Sequence, residues 1–261
     1  MMDTPACSPS PESKETLQIL YQDEWLVAVY KPAGLLVHRS PIDKHETRFA
    51  VQILRDQIGQ HVFPLHRLDR PTAGILLFAL QSETASTMNA QMMGFGVKKE
   101  YRALVRGYVK AHGMLDYALK YRWDKMADAN RVKAVPPQPA HTDYWPLAHY
   151  ELPYAVGRYD TARYSWLGLR PYSGRKHQLR RHLIHLRHPI VGDTTHGDGK
   201  HNQFLRDTFD CQRLMLVCTQ MGFYHPVSRQ WLSIECQPDS EIDELLVSWQ
   251  PFLTWSLQKG K

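Results

Sequence analysis

Cysteine is scarce in this sequence: Cys7, Cys211, Cys218 and Cys236 are the only four among 261 residues, and no two stand in a C-x-x-C arrangement. That speaks against a disulfide framework or a cysteine-based zinc site, and reduced thiols in the cytoplasm are the expectation. No apolar run approaches the roughly 20 residues of a membrane-crossing helix, and no apolar segment opens the chain, so neither a span nor a secretory leader is expected. Internal repeats are missing, as is the H-E-x-x-H pattern of a helix-borne zinc site.

Positive charge is what the chain has in excess. Thirty-two Lys and Arg against 26 Asp and Glu give a formal +6 and a pI near 9.1. The excess gathers in KKEYRALVRG at 98–107 and GRKHQLRRHLIHLRH at 174–188, clusters that suit a phosphate-rich partner. With 43% hydrophobic residues, the chain can also bury a sizeable core.

Residues 1–14, MMDTPACSPSPESK, have almost nothing to bury and read as a disordered tail ahead of a single domain over 15–261. LQILYQDEWLVAVYKP predicts two short strands around Gln22-Asp23-Glu24, the second ending at Lys31-Pro32 because proline cannot continue a central ladder. Phe49, Val51, Leu54 and Ile58 give helical spacing up to Gly59. The unbroken apolar run from Ala73 to Leu80 predicts a strand covered on both faces, followed by a helix capped by Ser82 and carrying Ala85, Met88 and Met92. Further strands are expected at 100–109, 160–170, 213–223 and 230–236. A final helix carries Ile242, Leu245, Leu246 and Trp249 behind Asp239 and Ser240, and Pro251 ends it. The stretch 124–146, containing PPQP, reads as a long loop or insertion within one α+β domain.

One carboxylate stands out. In HRLDRPTAGILLFAL, residues 66–80, Asp69 lies between Arg67 and Arg70 in the turn that feeds the buried strand, at a sheet end facing a cleft. Asp-Arg-Pro-Thr-Ala-Gly is good turn chemistry, so Asp69 could simply bond its own backbone. A carboxylate kept ionised by neighbouring guanidinium groups could equally serve as nucleophile or base. The residues alone leave both readings open.

Four stretches in order change this: YKPAGLLVHRS at 30–40, HRLDRPTAG, KKEYRALVRG, and GRKHQLRRHLIHLRHPIVGDTTHG at 174–197. Together they resemble the RluA-type pseudouridine synthases, with their KPxGL, HRLDxxTSG, K-x-Y-x-A and GRxHQLRxHL…HPIxGD signatures, over roughly residues 17–236. The resemblance implies a mixed, mostly antiparallel sheet flanked by helices around a central active-site cleft. LYQDEWLVAVYKP, LVHRS and RDQIGQHVF look closest to those members that isomerise uridine 65 of tRNA. It further implies Asp69 as the catalytic carboxylate, Tyr101 packed against the target base, and Arg180 as the buried ion partner of Asp69. Arg67 would fill the place of the extruded base, with His66 and Lys31 beside the substrate and Gly34 and His38 bordering the cleft. Lys98, Lys99, Arg175, Lys176 and Arg181, with Arg102, Arg106 and Arg187, would meet phosphates.

Such a reaction breaks N1–C1′, turns the freed uracil, joins C5 to C1′ and removes the C5 proton, with no redox change. A metal-free, cofactor-free monomer acting on tRNA is therefore the expectation. The sequence departs from the family pattern at Ala73, Lys176 and His196, where Ser, Thr and Tyr are common. Another RNA, such as rRNA, is an alternative substrate. His177, His182, His185 and His188, expected within one helix, raise a rival class, a metal-dependent RNA phosphodiesterase, but only pairs at three-residue spacing share a face. A non-catalytic RNA-binding module is the other alternative.

Overall fold

A computed structural model describes residues 15–39, 45–94, 96–121 and 135–257; the expected N-terminal tail lies outside them. The expected pair of N-terminal strands forms as β1 (Ile19–Gln22) and β2 (Leu26–Lys31), turned by Asp23, whose carboxylate accepts the Trp25 and Leu26 amides. α1 (Ala50–Ile58) ends at Gly59, which takes the left-handed conformation with φ 68° that glycine adopts most easily. After β3 (Phe63–Pro64) comes β4 (Ala73–Ala79), buried at every position.

The alternation of side chains explains why β4 is continuously apolar. Ile75, Leu77 and Ala79 join Leu26 and Ala28 of β2 in the main core, whereas Leu76 and Phe78 join Val27, Val29, Ala50 and Leu54 in a second core beneath α1. α2 (Ser82–Met93) follows; Gln81, not Ser82, is its N-cap residue, and no side chain caps it.

β5 (Lys98–Arg106), β6 (Gly113–Asp116), β7 (His141–Leu152), β8 (Ala162–Pro171), α3 (Gln178–His185), α4 (Gly199–Phe209), β9 (Leu216–Tyr224), β10 (Trp231–Glu235), α5 (Ser240–Ser248) and β11 (Leu253–Ser256) complete the chain. The path through the sheet is β1-β2-β4-β9-β5-β8-β7-β11, with β10 beside β9, β3 beside β4 and β6 beside β7. Among the described ladders only β4 and β9 pair in parallel; the others are antiparallel, giving the mixed α+β architecture expected.

Two more expectations are corrected, and elements without a sequence signal appear. The stretch expected to be a loop to residue 146 already contains the first six residues of β7, His141–Pro146; residues 122–134 lie outside the described residues. The PPQP stretch that suggested a loop lies ahead of β7, and within the strand the register shifts between Pro146 and Ala148, an irregularity that accommodates the proline. The histidine-rich helix is shorter than expected, because His177 is its N-cap residue and His188 lies beyond its end. Lastly, α4 and β11 carried no clear sequence signal; α4 is capped by Asp198, which accepts the Lys200 and His201 amides.

Candidate active site

The parallel contact between β4 and β9 fixes where Asp69 stands. Gly74 is paired with Cys218 at φ 108°, and a β-carbon there would lie 2.2 Å from the Cys218 carbonyl oxygen. Just ahead of the strand, the Thr72 amide donates to the Asp69 carbonyl at 2.9 Å, closing the turn through the main chain. Among the described residues, the Asp69 carboxylate meets Arg180 and His177 instead of its own backbone. The turn chemistry is real, and it leaves the side chain available.

A second loop is stitched to this turn. The Gly34 amide donates to the Arg70 carbonyl at 2.9 Å, and Arg70 Nε returns a bond to the Gly34 carbonyl at 3.0 Å. Lys31, fully buried, directs its ammonium to the carbonyls of Pro32, Leu35 and Arg70 at 2.8, 2.8 and 3.2 Å. Burial pushes its pKa down to about 7, with the Arg213 charge acting the same way. Lys31 thus holds the loop from within and does not line the cleft, contrary to its expected place beside the substrate. Arg70 is likewise committed, to Gly34 and to Glu46 at 2.6 Å, and is not the cation beside Asp69.

That cation is Arg180, on α3, buried as expected, and it serves a second carboxylate as well. Its Nε and Nη2 donate to the two oxygens of Asp193 at 2.7 and 2.8 Å, and only Nη1 reaches Asp69 Oδ2, at 3.3 Å. The planar fork matches one carboxylate, and Asp193 takes it. Burial acts to raise the Asp193 carboxyl, but the Arg180 hydrogen bonds and the His196 and Thr195 amides outweigh it and hold it below its ordinary value. The Asp69 side chain is 29% exposed, so the catalytic candidate is the accessible member and Asp193 the buried one.

Asp69 stands where two cavities meet. The larger, about 1120 Å³, runs past Gly34, His38, Arg70 and Arg181; the smaller, about 370 Å³, is walled by Lys99, Tyr101 and Leu216. Arg67, Arg175, Lys176 and His177 border both. Eight Lys or Arg side chains and two acidic ones line the larger cavity; Arg70, Arg180 and Arg213 are paired with Glu46, Asp193 and Asp239 behind it, and the remaining cations still outnumber Asp69 and Glu241, which favours anionic ligands. Tyr101 is buried in the smaller cavity's wall, and its hydroxyl bonds the Cys218 thiol; burial, then Cys218, raises its pKa well above the ordinary value.

The sequence model of the RNA pseudouridylate synthase family matches residues 25–185. The chain belongs to that family. It is 55% identical over 229 residues to a protein named tRNA pseudouridine synthase C from Vibrio vulnificus, covering 88% of this chain and 94% of the relative. Identity to the Haemophilus influenzae protein of the same name is 51% over 230 residues, with 88% and 96% covered. Among solved structures, human RNA pseudouridylate synthase domain containing 1 superposes with a TM-score of 0.70 at 26% identity, over 96% of this chain and 94% of that one.

For a pseudouridylate synthase, which is an isomerase, the arrangement puts Asp69, Arg67, Tyr101 and Arg180 around one opening. Other expected contacts are separated. Lys98 and Lys99 leave β5 on opposite faces: Lys98 lies over the Trp231 ring at 5.4 Å, while Lys99 lines the smaller cavity, its pKa lowered by burial. Arg102 pairs with Glu100 at 3.5 Å and Arg106 with Asp198. His66 is withdrawn behind the cleft, its Nε2 accepting the Leu77 amide at 3.2 Å; burial lowers its pKa well below the ordinary value, with Lys99 adding to the effect.

The histidines of α3 have other occupations. His182 bonds Thr142 Oγ1 and the Tyr117 carbonyl, both at 3.0 Å, and His185 stacks on Tyr117 at 3.7 Å. His188 Nδ1 meets the Arg106 carbonyl at 2.8 Å. The phosphodiesterase reading gains no ligand group among the described residues. No helix there is long and apolar enough to cross a membrane. Asp193, which holds Arg180, was not singled out from the sequence, although it stood in the quoted HPIVGD stretch. The signal was the buried-charge requirement: a guanidinium fork needs a full carboxylate partner.

Proposed function

We propose that this chain isomerises uridine to pseudouridine in tRNA, with uridine 65 as the target and Asp69 as the catalytic carboxylate. The observation that carries the reading is the position of Asp69, partly exposed at the junction of an electropositive cleft and a smaller cavity walled by Tyr101. The likeness to proteins named for tRNA supports the substrate class. The RNA backbone lies along the larger cavity against Arg175, Lys176 and Arg181, and the extruded uracil enters the smaller one, where Tyr101 packs against its ring. Arg67, exposed and bordering both cavities, fills the vacated stack. Tyr101 keeps its proton at neutral pH, since its pKa is raised.

Asp69 acts while ionised. It adds to uracil C6, attacks C1′, or removes a ribose proton; each route frees the base, which turns and rejoins through C5 before the C5 proton departs. Arg180 aims the carboxylate and is itself held by Asp193. The enzyme works as a single domain and a monomer in the cytoplasm.

Pseudouridine mapping in tRNA and rRNA, from cells with and without the protein, tests this. Loss of pseudouridine at tRNA position 65 alone, restored by purified protein on unmodified transcript, is the expected result. Loss confined to rRNA would overturn the tRNA assignment.

A further inference from the structure

Two histidines, one beside Asp69 and one behind it, have no role in the mechanism above. His177 Nε2 lies 3.9 Å from Asp69 Oδ2, and His177 Nδ1 lies 3.1 Å from His196 Nε2. The first contact is electrostatic, the second a hydrogen bond. His177 is held in place at φ 55°, a left-handed conformation that a residue with a β-carbon adopts at some cost, and such strain gathers at functional sites. His196 is buried, and its amide donates to Asp193 Oδ1 at 2.9 Å. Arg180 and His177, which both face Asp69, therefore lead back to Asp193: Arg180 directly, His177 by way of His196.

The protons in this chain follow from the charges. At 3.9 Å the contact lies beyond hydrogen-bond reach, but an ionised carboxylate still attracts an N–H dipole and repels a lone pair, which favours a hydrogen on the ring nitrogen turned toward Asp69. In neutral His177 the other nitrogen, Nδ1, is then an acceptor, and His196 Nε2–H is the donor across the 3.1 Å contact. The opposite arrangement would aim a lone pair at the carboxylate. Resting on the reading of Asp69 as the catalytic group, we propose that His177 is a positioning residue for Asp69 and that His196 fixes the His177 tautomer whose Nε2–H faces it. No proton is transferred in this role. The pair keeps the carboxylate aimed while the base leaves and returns.

Two substitutions separate donor chemistry from packing. His196→Gln keeps an N–H donor close to the place of Nε2, whereas His196→Phe keeps the volume and loses the donor. Single-turnover isomerisation at saturating tRNA is expected to fall about ten- to a hundredfold in His196→Phe, as misaimed groups do, with tRNA affinity unchanged and most of the rate recovered in His196→Gln. Nitrogen NMR of the wild-type protein should show neutral His177 protonated at Nε2. A wild-type rate in His196→Phe, an equal loss in both variants, or His177 protonated at Nδ1 would each overturn the proposal. The NMR result decides alone should His196→Phe not fold. Asp69→Asn tells the two failures apart: turnover by that variant removes the reading of Asp69, whereas an inert Asp69→Asn beside a fully active His196→Phe removes only the histidine pair.

Discussion

Arg180 serves two carboxylates of unequal exposure: Asp193, 1% exposed, takes two of its nitrogens, and Asp69, 29% exposed, takes the third. Arg180→Met would strand Asp193 as a buried, unpaired charge, which typically costs about 3–5 kcal/mol. Arg180→Lys keeps the charge without the fork, so denaturant melts should rank wild type above Lys and Lys above Met, with single-turnover rates low in both. Asp69→Asn is nearly isosteric but cannot act as an ionised group. It should abolish product while tRNA binding stays within about tenfold, or ~1.4 kcal/mol; turnover by protein shown by mass spectrometry to be free of deamidation would refute the assignment. Asp193 makes one contribution to the pH dependence of stability, alongside other lowered carboxylates such as Asp23, Asp198 and Asp239. Its folded pKa is lowered, so as pH falls the unfolded chain takes up this proton first. The stability it confers is complete above the unfolded value of about 3.9 and is lost below it. Melts between about pH 5 and 3 should show a shallower acid loss in Asp193→Asn than in wild type, from a lower starting stability.

At the scale of elements, the site depends on how closely β4 approaches β9. Gly74 gives that approach its room, since its φ of 108° and the nearby Cys218 carbonyl exclude a β-carbon. Gly74→Ala should therefore cost at least the ~1–3 kcal/mol of an overpacked core and also displace the turn that carries Asp69. Denaturant melts and single-turnover rates of that variant should fall together. Lys31 secures the same turn from the opposite loop, which explains a buried ammonium whose three bonds all end on carbonyls. Lys31→Met leaves those carbonyls unpaired, at about 1–3 kcal/mol for each one that stays buried and dry, and a measured increase in stability would contradict the role.

For the whole molecule, the +6 charge is less informative than where it lies. Cations crowd the larger cavity, whereas Lys98 and Arg102 are engaged by Trp231 and Glu100. Every duplex phosphate that a protein neutralises adds roughly 0.9 to the steepness with which log affinity falls against log salt. Replacing Arg175 and Lys176 by Ala should flatten that slope by up to about two units, while Lys98→Ala should leave it unchanged. Titrations of tRNA at several salt concentrations test both, and a flattened slope in Lys98→Ala would extend the RNA surface to the Trp231 face.

Local pattern alone determined much of this protein. The doubly covered β4, the strand pair around Asp23, the final helix and the place of Asp69 ahead of β4 follow from periodicity and turn chemistry, which act between near neighbours in the chain. The start of β7 was hidden because it was read as loop together with the PPQP stretch ahead of it, and its Pro146 is accommodated at a register shift against β8. Partners outside the local periodic pattern were decided by packing: the Arg180 fork on Asp193, Lys31 on the Arg70 carbonyl, His66 on the Leu77 amide. Sequence says which charges exist, but only the folded chain decides which are buried, and a buried charge must take whatever partner the fold brings within reach.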